Sequence, residues 1–212
     1  MRFPFTGLHC ASFLGVVEAV ADLIEARCCH ANKGDFLGYT PLALAARSGH
    51  EEVVKILLER GEANPNKPDD FNRPPLMDAA QKGHEEAVKI LLIYEEVNPD
   101  KPDSLRTTPL WHAALCSDRE TAKLLLRCED VKPYVPDNDG RTLLSHAASM
   151  GMEGVVKILL ESEEVDPDKP DNNGKTPLLD AAFVGQQEVV KMLLEHEDVN
   201  PDSPDNCGQT SL

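Results

Sequence analysis

The 212-residue sequence predicts an all-α solenoid of helix-turn-helix units with hairpin-like loops, about six stacked repeats plus a truncated seventh. Three observations predict it. A short motif recurs at a fixed spacing of 34 residues: Thr6-Gly7-Leu8, Thr40-Pro41-Leu42, Pro74-Pro75-Leu76, Thr108-Pro109-Leu110, Thr142-Leu143-Leu144, Thr176-Pro177-Leu178 and Thr210-Ser211-Leu212. A strict period of this length marks units that cannot bury an apolar face alone and must stack on their neighbours. The motif leads into two apolar-periodic segments, parted in the second unit by Gly49. A connection rich in Pro, Asn and Asp then returns the chain to the next motif.

The unit 40–73 serves as the type. Thr40 is placed to cap a helix whose first position is Pro41, where the missing N–H is one no helix uses and φ is preset. Leu42, Ala45 and Ala46 form the apolar face of this helix A, and the alanines allow close approach of the next layer. Gly49 tolerates the left-handed conformation that ends it. Helix B follows at Glu51, with Val53, Val54, Leu57 and Leu58 at helical spacing and acidic residues at its positive end. The stretch from Ala63 to Asp70 is then an extended, turning loop.

The same reading places an atypical N-terminal repeat at 1–39, repeats at 40–73, 74–107, 108–141, 142–175 and 176–209, and the start of a truncated seventh at 210–212. Met1 to Phe5 runs into an apolar stretch resembling a secretory signal, but His9 and Glu18 interrupt it and it sits in register with the repeat, so it is assigned to the first unit. The unit 108–141 is divergent: Ser117-Asp118 stands where Gly-His is found in its neighbours, and Lys132-Pro133-Tyr134-Val135-Pro136 replaces the usual loop. At the C-terminal end an uncapped apolar face of Leu178, Val189, Val190, Leu193 and Leu194 is expected, which favours a piece of a longer protein.

Thr-Pro-Leu, the paired alanines, Gly49-His50, Gly83-His84 and the Val-Val-x-x-Leu-Leu pattern resemble the ankyrin repeat over essentially the whole chain. The connecting phrase Val97-Asn98-Pro99-Asp100-Lys101-Pro102-Asp103, with its counterparts at 165–171 and 199–205, is similar to the arrays of fungal NOD-like receptor type proteins. Two departures stand out: the unit is one residue longer than the usual 33, and the glycine that ends helix B survives only as Gly61. The resemblance implies two recognition surfaces, the loop tips and the exposed, concave side of helix A. It implies a protein-protein interaction module, the recognition segment of a larger receptor-like or scaffold protein; the alternative is a regulatory inhibitor that occludes an enzyme active site.

At the tips, Phe36, Leu37, Tyr39, Phe71, Arg73 and Leu105 are candidate partner-binding residues, because large apolar side chains and Arg carry much of the energy of an interface; packing of Phe36 and Phe71 onto neighbouring tips is the competing reading. Along helix A, Asp78, His112, His146 and Asp180 recur at one position. Stacked helices stand about 8–10 Å apart whereas zinc ligands lie about 2 Å from their ion, so this row reads as a polar recognition stripe or a solvated face, with no metal and no cofactor. Trp111 is either a binding hot spot or packing between layers. Leu115, Cys116, Ser149, Met150, Phe183 and Val184 continue the face and suggest a groove for a helix or extended peptide. His50 and His84 read as structural.

The net charge is −16, and residues 142–212 hold 4 basic against 14 acidic side chains. Nucleic acid and anionic membranes are therefore excluded as partners, and any electrostatic steering favours a basic partner toward the C-terminal end. Six cysteines (Cys10, Cys28, Cys29, Cys116, Cys128, Cys207) do not track the repeat and read as reduced thiols of a cytoplasmic protein. No phosphate-cradling glycine loop and no nucleophile with a paired base suggests catalysis, and no enzymatic activity is expected.

Overall fold

The computed structural model describes residues 5–27, 30–60, 63–116 and 119–211. Met1 to Pro4, Cys28, Cys29, Gly61, Glu62, Ser117, Asp118 and Leu212 lie outside the described residues. Secondary structure among those described is helical, and none of the helices is long and apolar enough to cross a membrane. Two compact units emerge, one comprising 1–104 and 108–130 and the other 105–107 and 131–212.

The first unit carries α1 (Gly7–Leu14), α2 (Val17–Glu25), α3 (Pro41–Ser48), α4 (Glu51–Glu59), α5 (Pro75–Lys82), α6 (Glu85–Ile93), α7 (Pro109–Leu115) and α8 (Arg119–Leu126). The odd helices stack in the order α1, α3, α5, α7 and the even ones in the order α2, α4, α6, α8. The second unit carries α9 (Leu143–Ser149), α10 (Glu153–Leu160), α11 (Pro177–Val184) and α12 (Gln187–Leu194), with α9 on α11 and α10 on α12.

Each odd helix starts where its threonine or proline directs. The hydroxyls of Thr6, Thr40, Thr142 and Thr176 accept the backbone N–H three residues on; Pro74 has no hydroxyl and leaves α5 without a side-chain cap. The odd helices α1, α3, α5 and α11 end on Gly15, Gly49, Gly83 and Gly185, all left-handed. At Gly49 a second reason for glycine appears: a Cβ there would stand 2.6 Å from His84 Nδ1. His84 donates from Nε2 to the Arg47 carbonyl at 3.1 Å, as His50 does to Phe13 at 2.9 Å. Each histidine thus satisfies a carbonyl orphaned at the end of the preceding odd helix, and Gln186 does the same for Ser149 at 3.3 Å.

Leu42, Ala45, Ala46, Val53, Val54 and Leu57 are fully buried in the first unit; Leu58 is only half-buried, and Ala43 and Leu44 are also inside. The exposed C-terminal face expected from sequence needs correction. Leu178, Val189 and Leu193 are buried and Val190 is half-buried, because they face the partner helix of their own pair and the layer of α9 and α10. Leu194 alone of the five is exposed, at 44%.

Candidate functional site

The loop tips are built around one aspartate each. Asp35 Oδ1 accepts from the backbone N–H of Leu37 and Tyr39 at 2.9 and 3.0 Å. Asp69 binds the amides of Phe71 and Arg73, Asp137 those of Asp139 and Arg141, Asp171 those of Asn173 and Lys175, and Asp205 those of Cys207 and Gln209, all at 2.8–2.9 Å. In each case the aspartate's own N–H also donates to the carbonyl four residues on. Consecutive tips are then laced backbone to backbone: Asp70 N to Leu37 O and Ser104 N to Phe71 O in the first unit, Asn172 N to Asp139 O and Asn206 N to Asn173 O in the second. These aspartates are the residues that the search for binding side chains passes over; their signal is a carboxylate every 34 residues at 35, 69, 103, 137, 171 and 205.

This scaffold holds outward the residues between its ties. Phe36 is 52% exposed, Phe71 53%, Leu105 66% and Leu37 38%. Arg73 is half-buried and heavily engaged: its Nε and Nη2 donate to Asp69 Oδ2 at 2.9 and 2.7 Å, Nη2 also donates to the Tyr39 hydroxyl, and the guanidinium lies over the Phe71 ring at 5.0 Å.

Three candidates require correction as open contact residues. Tyr39 is buried, its ring flanked by the guanidiniums of Arg47 and Arg73 at 5.5 and 5.7 Å. Asp78 is fully buried beneath them: Oδ1 accepts from Arg47 Nη1 at 2.9 Å while Oδ2 has no partner. Burial raises its carboxyl to a pKa of about 6 even though Arg73 and Arg47 both pull it down. Trp111 is 2% exposed and packs in the interior. For Tyr39 and Asp78 the covering neighbour comes from another repeat.

The remaining stripe residues are half-buried and turned toward the tips. His112 Nε2 donates to Asp103 Oδ2 at 3.1 Å. Burial lowers the pKa of His146, helped by Arg141 and opposed by Asp137. Burial raises that of Asp180, and Asp171 adds to the effect. Each position faces the tip of the repeat before its own. Within the second unit, Met150 (63%), Phe183 (75%) and Val184 (57%) stand out from the last turns of α9 and α11; Lys175 Nζ lies 4.6 Å over the Phe183 ring. Exposed apolar groups on a polar framework, fixed by backbone ties, are suited to contact another macromolecule.

Comparison with known proteins supports this geometry. The family model described as ankyrin repeats (3 copies) matches residues 2–69, 61–137 and 110–205. Among solved structures, the chain is similar to the ankyrin repeat domain of Bcl-3, described as a unique member of the IkappaB protein family: 22% identity, 97% of this chain and 92% of that chain covered, TM-score 0.89. No curated protein sequence matches. With the repeat motif, the paired helices and a family match over nearly its full length, the chain belongs to the ankyrin repeat family.

Proposed function

We propose that this chain is a protein-protein interaction module that binds its partner through the loop tips and the outward side of the odd helices. The observation that carries the reading is the exposure of Phe36, Leu37 and Phe71 on turns whose backbone is already fixed by aspartate, so that little ordering entropy is lost on binding. The acidic surplus of residues 142–212 favours a partner with basic character toward that end. The free thiols of Cys10, Cys116, Cys128 and Cys207 fit a reducing, cytoplasmic setting. The repeated loop phrase supports kinship with the arrays of fungal NOD-like receptor type proteins, and with it a role as the recognition or scaffold segment of a larger protein.

The test is affinity capture with mass-spectrometric identification, comparing wild type with a Phe36→Ala, Phe71→Ala, Leu105→Ala variant of unchanged circular dichroism. Tyr39 is left intact because it is interior. A partner held by wild type and lost by the variant supports the tips; equal capture by both removes them from the binding surface.

A further inference from the structure

The segment 13–17, which joins α1 to α2, departs from its counterparts in the following repeats. Phe13, Leu14, Val16 and Val17 are large and apolar, and all four are 38–60% exposed. The matching places hold Arg47, Ser48, His50 and Glu51 in the second repeat and Gln81, Lys82, His84 and Glu85 in the third. All three turns pass through a left-handed glycine, Gly15, Gly49 or Gly83. Polar residues therefore serve the turn equally well, and the apolar set of the first is not a demand of the fold.

This edge lies at the end of α1 away from the loop tips. Gly15 and Val17 border a groove of about 310 Å³ between this turn and the next, completed by Gly49, His50, Glu51, Glu52 and Val53, with no Lys or Arg in the lining. Lys55 Nζ reaches Glu52 at 3.0 Å, a pair exposed at both ends and so weak; Glu51 feels the same ammonium only at longer range. Glu51, and Glu18 beside Val17, are exposed and have no ion-pair partner among the described residues. Helix α2 adds Asp22 and Glu25 and no basic residue, Arg60 standing 3.8 Å from Glu25. The next groove along the edge, about 330 Å³, repeats the pattern with Glu51, Glu85 and Glu86 and again no Lys or Arg.

The fold holds this edge ready. His50 Nε2 donates to the Phe13 carbonyl at 2.9 Å, and its ring lies so close to Gly15 that a Cβ there would stand 2.6 Å from Nδ1. The apolar side chains thus project from a backbone already fixed, which lowers the entropy lost on binding. A second copy is a poor occupant, since the same carboxylates would meet across the contact. An apolar patch rimmed by carboxylates complements a segment that is apolar along one stripe and cationic beside it.

We propose that this edge docks a basic amphipathic helix of a partner protein, its apolar stripe on Phe13, Leu14, Val16 and Val17 and a Lys or Arg in the groove beside Glu51. Stacked layers stand about 10 Å apart, which is the rise of about seven helical residues, so cations two turns apart reach both grooves. This surface goes beyond the reading given for the tips and does not depend on it.

The experiment titrates the full chain into a fluorescein-labelled peptide of about twenty residues, long enough to hold a helix, with Leu along one stripe and Lys beside it. A scrambled peptide of the same composition is the control, and fluorescence anisotropy the readout. Saturable binding of the amphipathic peptide is expected, falling with salt and about tenfold weaker for the double variant Phe13→Gln, Leu14→Ser. The third and second repeats carry those residues at the matching places, so the turn accepts them. Glu51→Gln weakens binding severalfold, whereas Glu164→Gln in the second unit and the triple tip variant leave it unchanged. No binding, equal binding of the scrambled peptide, indifference to both the apolar pair and Glu51, or loss in the triple tip variant overturns the assignment. A dimer seen by sedimentation and abolished by the double variant gives the face to a second copy and equally overturns it. Failure here leaves the tip reading to the capture experiment alone.

Discussion

Asp78 shows how a side chain that looks like a surface contact becomes a charge under the surface. Its Oδ2 is buried without a partner, and burial raises its carboxyl to about pH 6. In the unfolded chain the same group titrates near its ordinary 3.8, so the folded state holds the proton more tightly. Stability from this group is fully present below pH 3.8 and is lost as pH rises through 6. At neutral pH the ionised form costs up to about 3 kcal/mol. Asp78→Asn is therefore expected to raise the Tm at pH 7.5, with the advantage over wild type shrinking steadily as the pH is lowered toward 4; thermal melts across that range check it, and a constant or inverted difference contradicts it. Tyr39 and Asp78 were illegible as interior residues for one reason, whereas packing between layers was one of the two readings of Trp111. The side chains that engage Tyr39 and Asp78, chiefly Arg47 and Arg73, lie 31 and 34 residues away along the chain, as the contacts of Arg47 with Asp78 and of Arg73 with Tyr39 show. Composition and local spacing carry no record of such pairings, whereas Phe36, Phe71 and Leu105 needed only the turn pattern around them.

At the scale of the element, most of the fold was legible because the cues are local. Thr40 and Pro41 start α3, Gly49 ends it, and the acidic first turn of α4 follows at Glu51, each as chain chemistry dictates. The ends of α7 and α9 were less so, since Cys116 and Met150 close them with ordinary φ instead of a left-handed glycine. Two glycines that look equivalent in sequence differ in what surrounds them. Both Gly49 and Gly185 are left-handed, but a Cβ at Gly49 meets the His84 ring whereas one at Gly185 meets nothing within 4 Å. Gly185→Ala should thus cost only the backbone term, about 1 kcal/mol. Gly49→Ala should cost about 2 kcal/mol or more, because it also dislodges the imidazole that satisfies the Arg47 carbonyl. Chemical denaturation of the two variants decides this, and equal losses would show that the histidine yields freely.

For the whole molecule, a net charge of −16 is a standing repulsion, heaviest in residues 142–212. Ion pairs relieve little of it: Glu52 with Lys55, Glu86 with Lys89 and Glu120 with Lys123 are i,i+3 pairs at the surface. Raising the salt from about 10 mM to about 150 mM shortens the Debye length from about 30 to about 8 Å and should raise the Tm by a few degrees; a fall on adding salt would mean that attractive pairs outweigh repulsion. The aspartate that closes each turn has a broader meaning. Because its carboxylate grips the amides on either side of the tip, the turn's course is specified by main chain and by one residue, and side chains such as Phe36 and Leu37 are left exposed between them. Phe36 and Leu37 in the first tip are thus exchangeable in principle, like type set in a fixed frame. Such a chain can change what it recognises by exchanging a few letters at its tips while the frame that folds it stays the same.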